Sequence, residues 1–346
     1  MSAERSPPEG LLAALSMVRE DVRAMQAYGV ADAKGLIKLD AMENPYGVPR
    51  ELKDELARRL TEVALNRYPD ARANALRAEI SNHVRLEPRL DILLGNGSDE
   101  LINIIVLSCA KPGVSIMMLG PSFVMYRAAA RMARVGCIEV PLAADFSLDV
   151  DAALAAIDKH KPQVIFVAYP NNPTGNLFSR EKIEAIIHAA EGLVVIDEAY
   201  EAFSPDSFLP VVSQHPRLLL LRTFSKIGLA GIRLGYLIGA TPLIAEFDKV
   251  RPPYNINALT QACARFMIEH QDVLVEQAAA IVAERDKLAD AMARLPAIEV
   301  FPSAANFLLF RIRPDLAPSA PALFALLKER GILIKDMSGA HPLLAH

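Results

Sequence analysis

The amino-acid sequence predicts an α/β protein: a large lobe built on a mostly parallel sheet between layers of helices, followed by a smaller α+β lobe. Three observations carry that prediction. From Asp91 onward the runs DILL, SIMML, CIEVPL, QVIFVAY, LVVID and LLLLRTF are short, rich in Val, Ile and Leu, and separated by helix-length mixtures of polar and apolar residues. Near-continuous apolar runs of this kind mark strands buried on both faces, and their alternation with helices marks parallel pairing. The chain has 346 residues, more than one hydrophobic core of roughly 250 to 300 residues serves, so two lobes are expected. Beyond Pro253 the pattern changes to a long helical region at 257–294, the runs IEVFPS and NFLLFRI, a helix over 321–330 and the strand GILIKDM, which together read as the smaller lobe.

Ahead of the sheet, residues 1–10 read as a loose tail and residues 11–28 have the apolar spacing of an amphipathic helix. The stretch GLIKLDAMENPYGVP is extended and ends in turn signals, as expected of an arm crossing to another part of the fold.

Composition narrows the function classes. A hydrophobic fraction of 52% with 23% charged residues is that of a globular protein. A net charge of −4, with no basic stripe interleaved with aromatics, gives no electrostatic case for nucleic acid. Cys109, Cys137 and Cys263 are far apart and form no CxxC, and the histidines form no HExxH, so no metal site is expected and the thiols read as core filler in a reduced cytosol. No apolar run nears the roughly 20 residues that span a bilayer. The start MSAERSPPEG has acids and prolines where a signal peptide is basic and then apolar, which makes the cytoplasm the expected location.

In parallel sheets ligands collect at the carboxyl ends of the strands, so the residues just after each apolar run are the candidates for a site. After DILL the chain turns through Gly95, Asn96 and Gly97 into a helix beginning near Ser98 and Asp99. Exposed amides there suit a phosphate, although a plain capped helix explains the same residues. After SIMML, GPSFVMYRAAA places Tyr126 in a helix, where it either packs in the core or lies against a flat ring. After QVIFV, VAYPNNPTGN forces a turn and offers Asn172 as a contact. LVVIDEAYEAF ends a strand on Asp197, with Tyr200 just beyond. A carboxylate there is costly to bury unless it meets a positive partner, either a structural arginine or a ligand's protonated ring nitrogen.

The last strand end, RTFSKIGLAGIRLGY, supplies Ser225, Lys226 and Arg233 among small and aliphatic residues. A lysine on a surface turn is one reading of it. The other is a desolvated amine that attacks a carbonyl, with a hydroxyl and a guanidinium nearby for phosphate. One ligand uses the whole set: a flat pyridine ring bearing an aldehyde, a phenolic oxygen and a phosphate, which is pyridoxal 5′-phosphate.

The motifs PNNPTG, VVIDEAY and TFSKIGLAGIRLGY, with LDAMENPYG, NRYPD, GNGSDELI, PSFVMY and SAANFLLFR, resemble those of the fold-type I, class I/II aminotransferases over nearly the whole chain. In detail they look like the histidinol-phosphate aminotransferases. The resemblance implies a seven-stranded, mostly parallel sheet in a large cofactor domain at 46–255, an N-terminal arm and helix at 1–45 that join the small domain, and a small domain at 256–346. It implies Lys226 as the Schiff-base lysine and proton shuttle, Asp197 on the pyridine nitrogen, and Asn172 with Tyr200 on the phenolic oxygen. Tyr126 would stack on the ring, and Gly97, Ser98, Asp99, Ser225 and Arg233 would surround the phosphate.

The same resemblance implies that Tyr68 reaches the neighbouring site of a homodimer, that Asn44 and Tyr46 line the substrate side, and that Lys335 meets the substrate anion. It makes L-histidinol phosphate and 2-oxoglutarate the expected substrates, with L-glutamate formed, in histidine biosynthesis. The family continues past Leu344 into an arginine-bearing strand and a helix, so a chain ending at His346 is expected to bind cofactor but turn over poorly. Alternatives on the same scaffold are threonine-phosphate decarboxylation, aromatic amino-acid transamination and a non-catalytic binding protein. A nicotinamide dehydrogenase fails because GNGSDE does not continue as GxGxxG.

Overall fold

A computed structural model describes residues 9–27, 29–316 and 318–346. Residues 1–8 of the expected tail, and Tyr28 at the end of the expected first helix, lie outside the described residues. Among the described residues eleven strands follow one another: β1 (Ile37–Lys38), β2 (Leu90–Gly95), β3 (Ser115–Gly120), β4 (Gly136–Pro141), β5 (Val164–Ala168), β6 (Leu193–Asp197), β7 (Leu218–Thr223), β8 (Gly235–Ala240), β9 (Ile298–Val300), β10 (Phe310–Ile312) and β11 (Ile332–Leu333).

Seven of them form the main sheet in the order β2-β8-β7-β6-β5-β3-β4. All run parallel except β8, which is antiparallel to both β2 and β7. The strands are apolar on both faces because both faces are covered. Met117, Ile165, Val167, Val194, Ile196, Leu218 and Leu220 enter one buried cluster, while Ile116, Met118, Val164, Phe166, Val195, Leu219 and Leu221 enter another. Successive residues of a strand point to opposite faces, so each run divides between two cores. Chain order reverses between β3 and β5, and such a reversal opens a crevice at the carboxyl ends of the strands.

β8 was not anticipated as a strand. GYLIGA follows a glycine-rich turn directly, and its two glycines weaken the local strand signal; pairing with β2 and β7 supplies what propensity does not. The long helix expected over 257–294 is two, Ala258–Glu269 and Gln271–Ala293, broken at His270 with φ −113° and ψ 31°. The first amphipathic stretch is likewise two short helices, Glu9–Met17 and Glu20–Arg23. They part at Arg19, whose guanidinium bonds the carbonyls of Met132 and Arg131 at 2.9 and 3.2 Å, at the end of the helix Val124–Ala133. A cation is favoured at a helix C-terminus, and reaching it takes Arg19 out of helical geometry.

In the smaller lobe β9 and β10 pair antiparallel, and β1 from the arm pairs parallel with β11. The helix Gln271–Ala293 packs on β9 and on the turn after β6, so one helix touches both lobes. Among the described residues no helix is long and apolar enough to cross a membrane, and no cluster of His, Cys, Asp and Glu is placed to hold a metal.

Candidate active site

At the carboxyl edge of the sheet the strand ends meet. β6 terminates on Asp197, between Ala168 of β5 and Leu221 of β7. Its Oδ2 accepts the hydroxyl of Tyr126 at 2.6 Å and its Oδ1 the amide of Ala199 at 3.1 Å. Burial raises its pKa to about 6, because desolvation outweighs those two donors.

The ion pair that a buried acid invites falls one residue later. Glu198 is fully buried, and Arg222 of β7 bonds its Oε2 at 2.8 and 3.0 Å. Ser207 donates to the same oxygen at 3.0 Å, and the amide of Phe208 donates to Oε1 at 2.6 Å. Among the described residues the donors to Asp197, in contrast, are a phenol and a backbone amide, both neutral.

Lys226 lies on the turn after β7, where a short helical segment, Ser225–Leu229, begins. Its Nζ donates to the carbonyl of Ala41 at 3.1 Å and stands 5.7 Å from the centre of the Tyr200 ring. Burial pulls the amine below the ordinary lysine range, with Asp99 and Glu43 opposing. Tyr200 accepts a hydrogen bond at its hydroxyl from Asn172 Nδ2 at 2.9 Å, and Phe307 of the smaller lobe meets its ring edge-on at 5.2 Å.

On the other side of the lysine, Ser225 is buried and takes the Thr223 hydroxyl at 3.0 Å. Arg233 reaches Ser225 Oγ at 3.5 Å and the Asp99 carboxylate at 3.4 Å. That carboxylate belongs to the first turn of the helix Ser98–Cys109, whose N-cap is Gly97 at φ 83°. A Cβ on Gly97 would lie 2.7 Å from Arg233 Nη2, so the missing side chain lets the guanidinium approach the open amides of the helix.

The sequence-predicted residues Gly97, Ser98, Asp99, Tyr126, Asn172, Asp197, Tyr200, Ser225, Lys226 and Arg233 thus converge on one edge of the sheet. Asn44 joins them from the arm: its Nδ2 donates to Ile227 O at 2.8 Å and to Gln277 Oε1 at 2.9 Å, and its Oδ1 receives the amide of Tyr46 at 2.8 Å. Gly228, at φ 140°, allows this, since a Cβ there would stand 2.9 Å from Asn44 Nδ2. Tyr46, Tyr68 and Lys335 are exposed, and the Tyr68 ring stacks on Tyr254 at 4.5 Å.

One assignment changes. Tyr126 was expected to lie against a ligand ring, but it is 0% exposed and its ring stacks on Phe166 at 4.6 Å and 12°. Phe123, three residues earlier, is the half-buried aromatic where β3 gives way to the helix Val124–Ala133. Helical spacing explains both fates: position 126 falls inside the first turn and faces the sheet, whereas position 123 caps the helix.

The sequence profile of the class I and II aminotransferases matches residues 34–341. The chain belongs to this family.

Aminotransferase relatives also match at high identity. A histidinol-phosphate aminotransferase of Ralstonia nicotianae is 52% identical over 335 residues, covering 95% of this chain and 88% of the relative. The one from Chromobacterium violaceum is 52% identical over 328 residues, covering 95% and 91%. Among solved structures, the histidinol-phosphate aminotransferase of Sinorhizobium meliloti in complex with pyridoxal 5′-phosphate shares the fold at a TM-score of 0.81, with 24% identity and coverage of 94% and 90%.

Besides the residues singled out from the motifs, the structure brings Phe123, Thr223, Gln277, Phe307 and the Ala41 carbonyl to the same edge. Phe123 was in view within PSFVMY. Thr223, Phe307 and Ala41 were likewise within TFSKIGLAGIRLGY, SAANFLLFR and LDAMENPYG, whereas Gln277 lies in a helix outside every motif.

Proposed function

We propose that this aminotransferase uses pyridoxal 5′-phosphate to exchange the amino group between L-histidinol phosphate and 2-oxoglutarate, giving imidazole acetol phosphate and L-glutamate. The observation that carries the reading is the contrast between two buried acids. Glu198 has its arginine, while Asp197 is raised to about 6 and lacks a basic partner among the described residues. A protonated pyridine nitrogen fits that place, and the other donors fit the rest of the cofactor. The substrate is supported by relatives of that name at 52% identity over nearly the whole chain.

In this reading Lys226 holds the aldehyde carbon, Asp197 the ring nitrogen, and Asn172 with Tyr200 the phenolic oxygen. Ser225, Arg233 and the amides of Ser98 and Asp99 hold the phosphate, where a helix start and a guanidinium act together. Phe123 takes the place against the ring first assigned to Tyr126. When bound, the cofactor supplies a conjugated cationic ring that takes up the electron pair left as the substrate's Cα–H bond breaks.

The chain's own residues do the rest. The Lys226 amine, its pKa lowered by burial, takes the Cα proton and returns it to the neighbouring carbon. Asp197 keeps a proton on the ring nitrogen by its negative charge. Asn44 holds the peptide after Lys226, and Tyr46 and Lys335 serve the substrate side, Lys335 as a point charge for an anion. Tyr68, exposed, serves a second copy of the chain in a homodimer.

The experiment is a steady-state assay with L-histidinol phosphate and 2-oxoglutarate. The reading expects stoichiometric glutamate and no CO₂. Release of CO₂ from a phosphorylated amino acid without consumption of 2-oxoglutarate would replace transamination by decarboxylation.

A further inference from the structure

Tyr126 is more firmly fixed than a core tyrosine needs to be. It sits in the first turn of the helix Val124–Ala133, fully buried, with one ring face on Phe166 of β5 and the edge of Phe123 at 5.7 Å. β5 is the direct neighbour of β6, so the stack aims the phenol along the sheet to the strand end where Asp197 stands. Its hydroxyl donates to Asp197 Oδ2 at 2.6 Å, the length of a charge-assisted bond to a carboxylate. The amide of Ala199 holds the second oxygen.

We propose that Tyr126 is a positioning residue for Asp197: its hydroxyl fixes one carboxylate oxygen, so that the acid's remaining lone pairs are presented in one orientation to the cofactor's ring nitrogen. This rests on the reading of Asp197 as the partner of that nitrogen.

The surrounding charges give the contact a second consequence. Asp99 on the helix Ser98–Cys109 and Glu198 after β6 both disfavour a second negative charge at Asp197, whereas Tyr126 and Ala199 favour it. The two arginines nearby are engaged elsewhere, Arg222 with Glu198 and Arg233 with Asp99. Tyr200 adds a further phenol beside Tyr126. Tyr126 is therefore the one side chain bonded to Asp197 among the described residues. Without its hydroxyl, Asp197 keeps its proton to higher pH and meets the pyridine as a neutral acid.

The test is a titration of the protein with pyridoxal 5′-phosphate, followed by absorbance from pH 5 to pH 8. In the wild type, affinity falls as pH drops through the Asp197 titration near 6. Tyr126→Phe removes one oxygen and keeps the stacked ring. The limb is expected to move up by about one pH unit, making binding roughly fivefold weaker at pH 6 and little changed at pH 8. Asp197→Asn abolishes the limb, and adding Tyr126→Phe to it changes nothing further, because the tyrosine acts only through the acid.

If Tyr126→Phe does not fold, Tyr126→3-fluorotyrosine, a stronger donor of nearly equal size, moves the limb down. A loss of affinity by the same factor at every pH, or one that adds in full to Asp197→Asn, assigns Tyr126 to packing alone and overturns the proposal. A wild-type protein that takes up no cofactor instead overturns the reading of the site on which it rests.

Discussion

Asp197 and Glu198 are adjacent, both buried, and treated in opposite ways. Glu198 has an arginine that donates twice to one oxygen and two further donors; Asp197 has a phenol and an amide. Removing Arg222 would strand a buried charge, so Arg222→Met is expected to cost about 3 to 5 kcal/mol, read as a fall in the urea midpoint of unfolding. Asp197 behaves differently. Its folded pKa, about 6, lies above the unfolded value, so the native state binds the extra proton. Its contribution to stability is fully present below about pH 4 and is lost as pH rises through about 6, on the order of 3 kcal/mol in all. Asp197→Asn should therefore flatten the difference in cofactor-free stability between pH 4 and pH 7, and a variant that declines as steeply as wild type would contradict this.

At this scale the sequence was most legible where chemistry is costly. An acid ending a strand and a lysine in an aliphatic turn stood out because burial penalises them. Tyr126 was misread because an aromatic in a helix is chemically cheap, and only the helix phase and the Phe166 stack decide which way it faces.

The turn between β7 and β8 is the element on which the site depends. It carries Lys226 and Ser225 at one end and Arg233 at the other, with Gly228 making room for Asn44. Facing it, the start of the helix Ser98–Cys109 is opened by Gly97, whose φ of 83° and ψ of 165° are essentially reserved for glycine. Gly97→Ala is expected to cost about 1 to 3 kcal/mol of stability and to displace Arg233, weakening pyridoxal 5′-phosphate binding roughly tenfold. Calorimetric unfolding and an absorbance titration check the two parts; unchanged affinity would remove Arg233 from the phosphate's neighbourhood.

The parallel strands could be read from their apolar runs, which only a doubly covered sheet requires. β8 could not, because its glycines and its position after a turn hide it until its partners are known. The break at His270 was equally hidden, since the apolar spacing continues through it in sequence.

Over the whole molecule, the arm, the smaller lobe and the lysine turn are tied together. β1 pairs with β11, Asn306 donates to Met42 O at 2.9 Å, and Asn44 bridges Ile227 and Gln277. None of these long-range ties has a local signature, although the extended arm itself was visible.

The surface carries Leu11, Leu12, Leu15 and Met17, exposed by 48, 53, 43 and 84%, besides Tyr68 at 81%. Large apolar side chains left in water on one short helix suit burial against a second copy of the chain. Sedimentation is expected to give a dimer. Tyr68→Phe is expected to weaken cofactor binding in the dimer, and a mixed dimer with Lys226→Ala subunits locates the effect in the neighbouring site.

Lys226 is the residue on which the cofactor chemistry depends. The purified protein, given pyridoxal 5′-phosphate, should show a visible absorption band that shifts when glutamate is added, and Lys226→Ala should lack that band. A wild-type protein that stays colourless with the cofactor, or a variant whose spectrum matches the wild type, would contradict it.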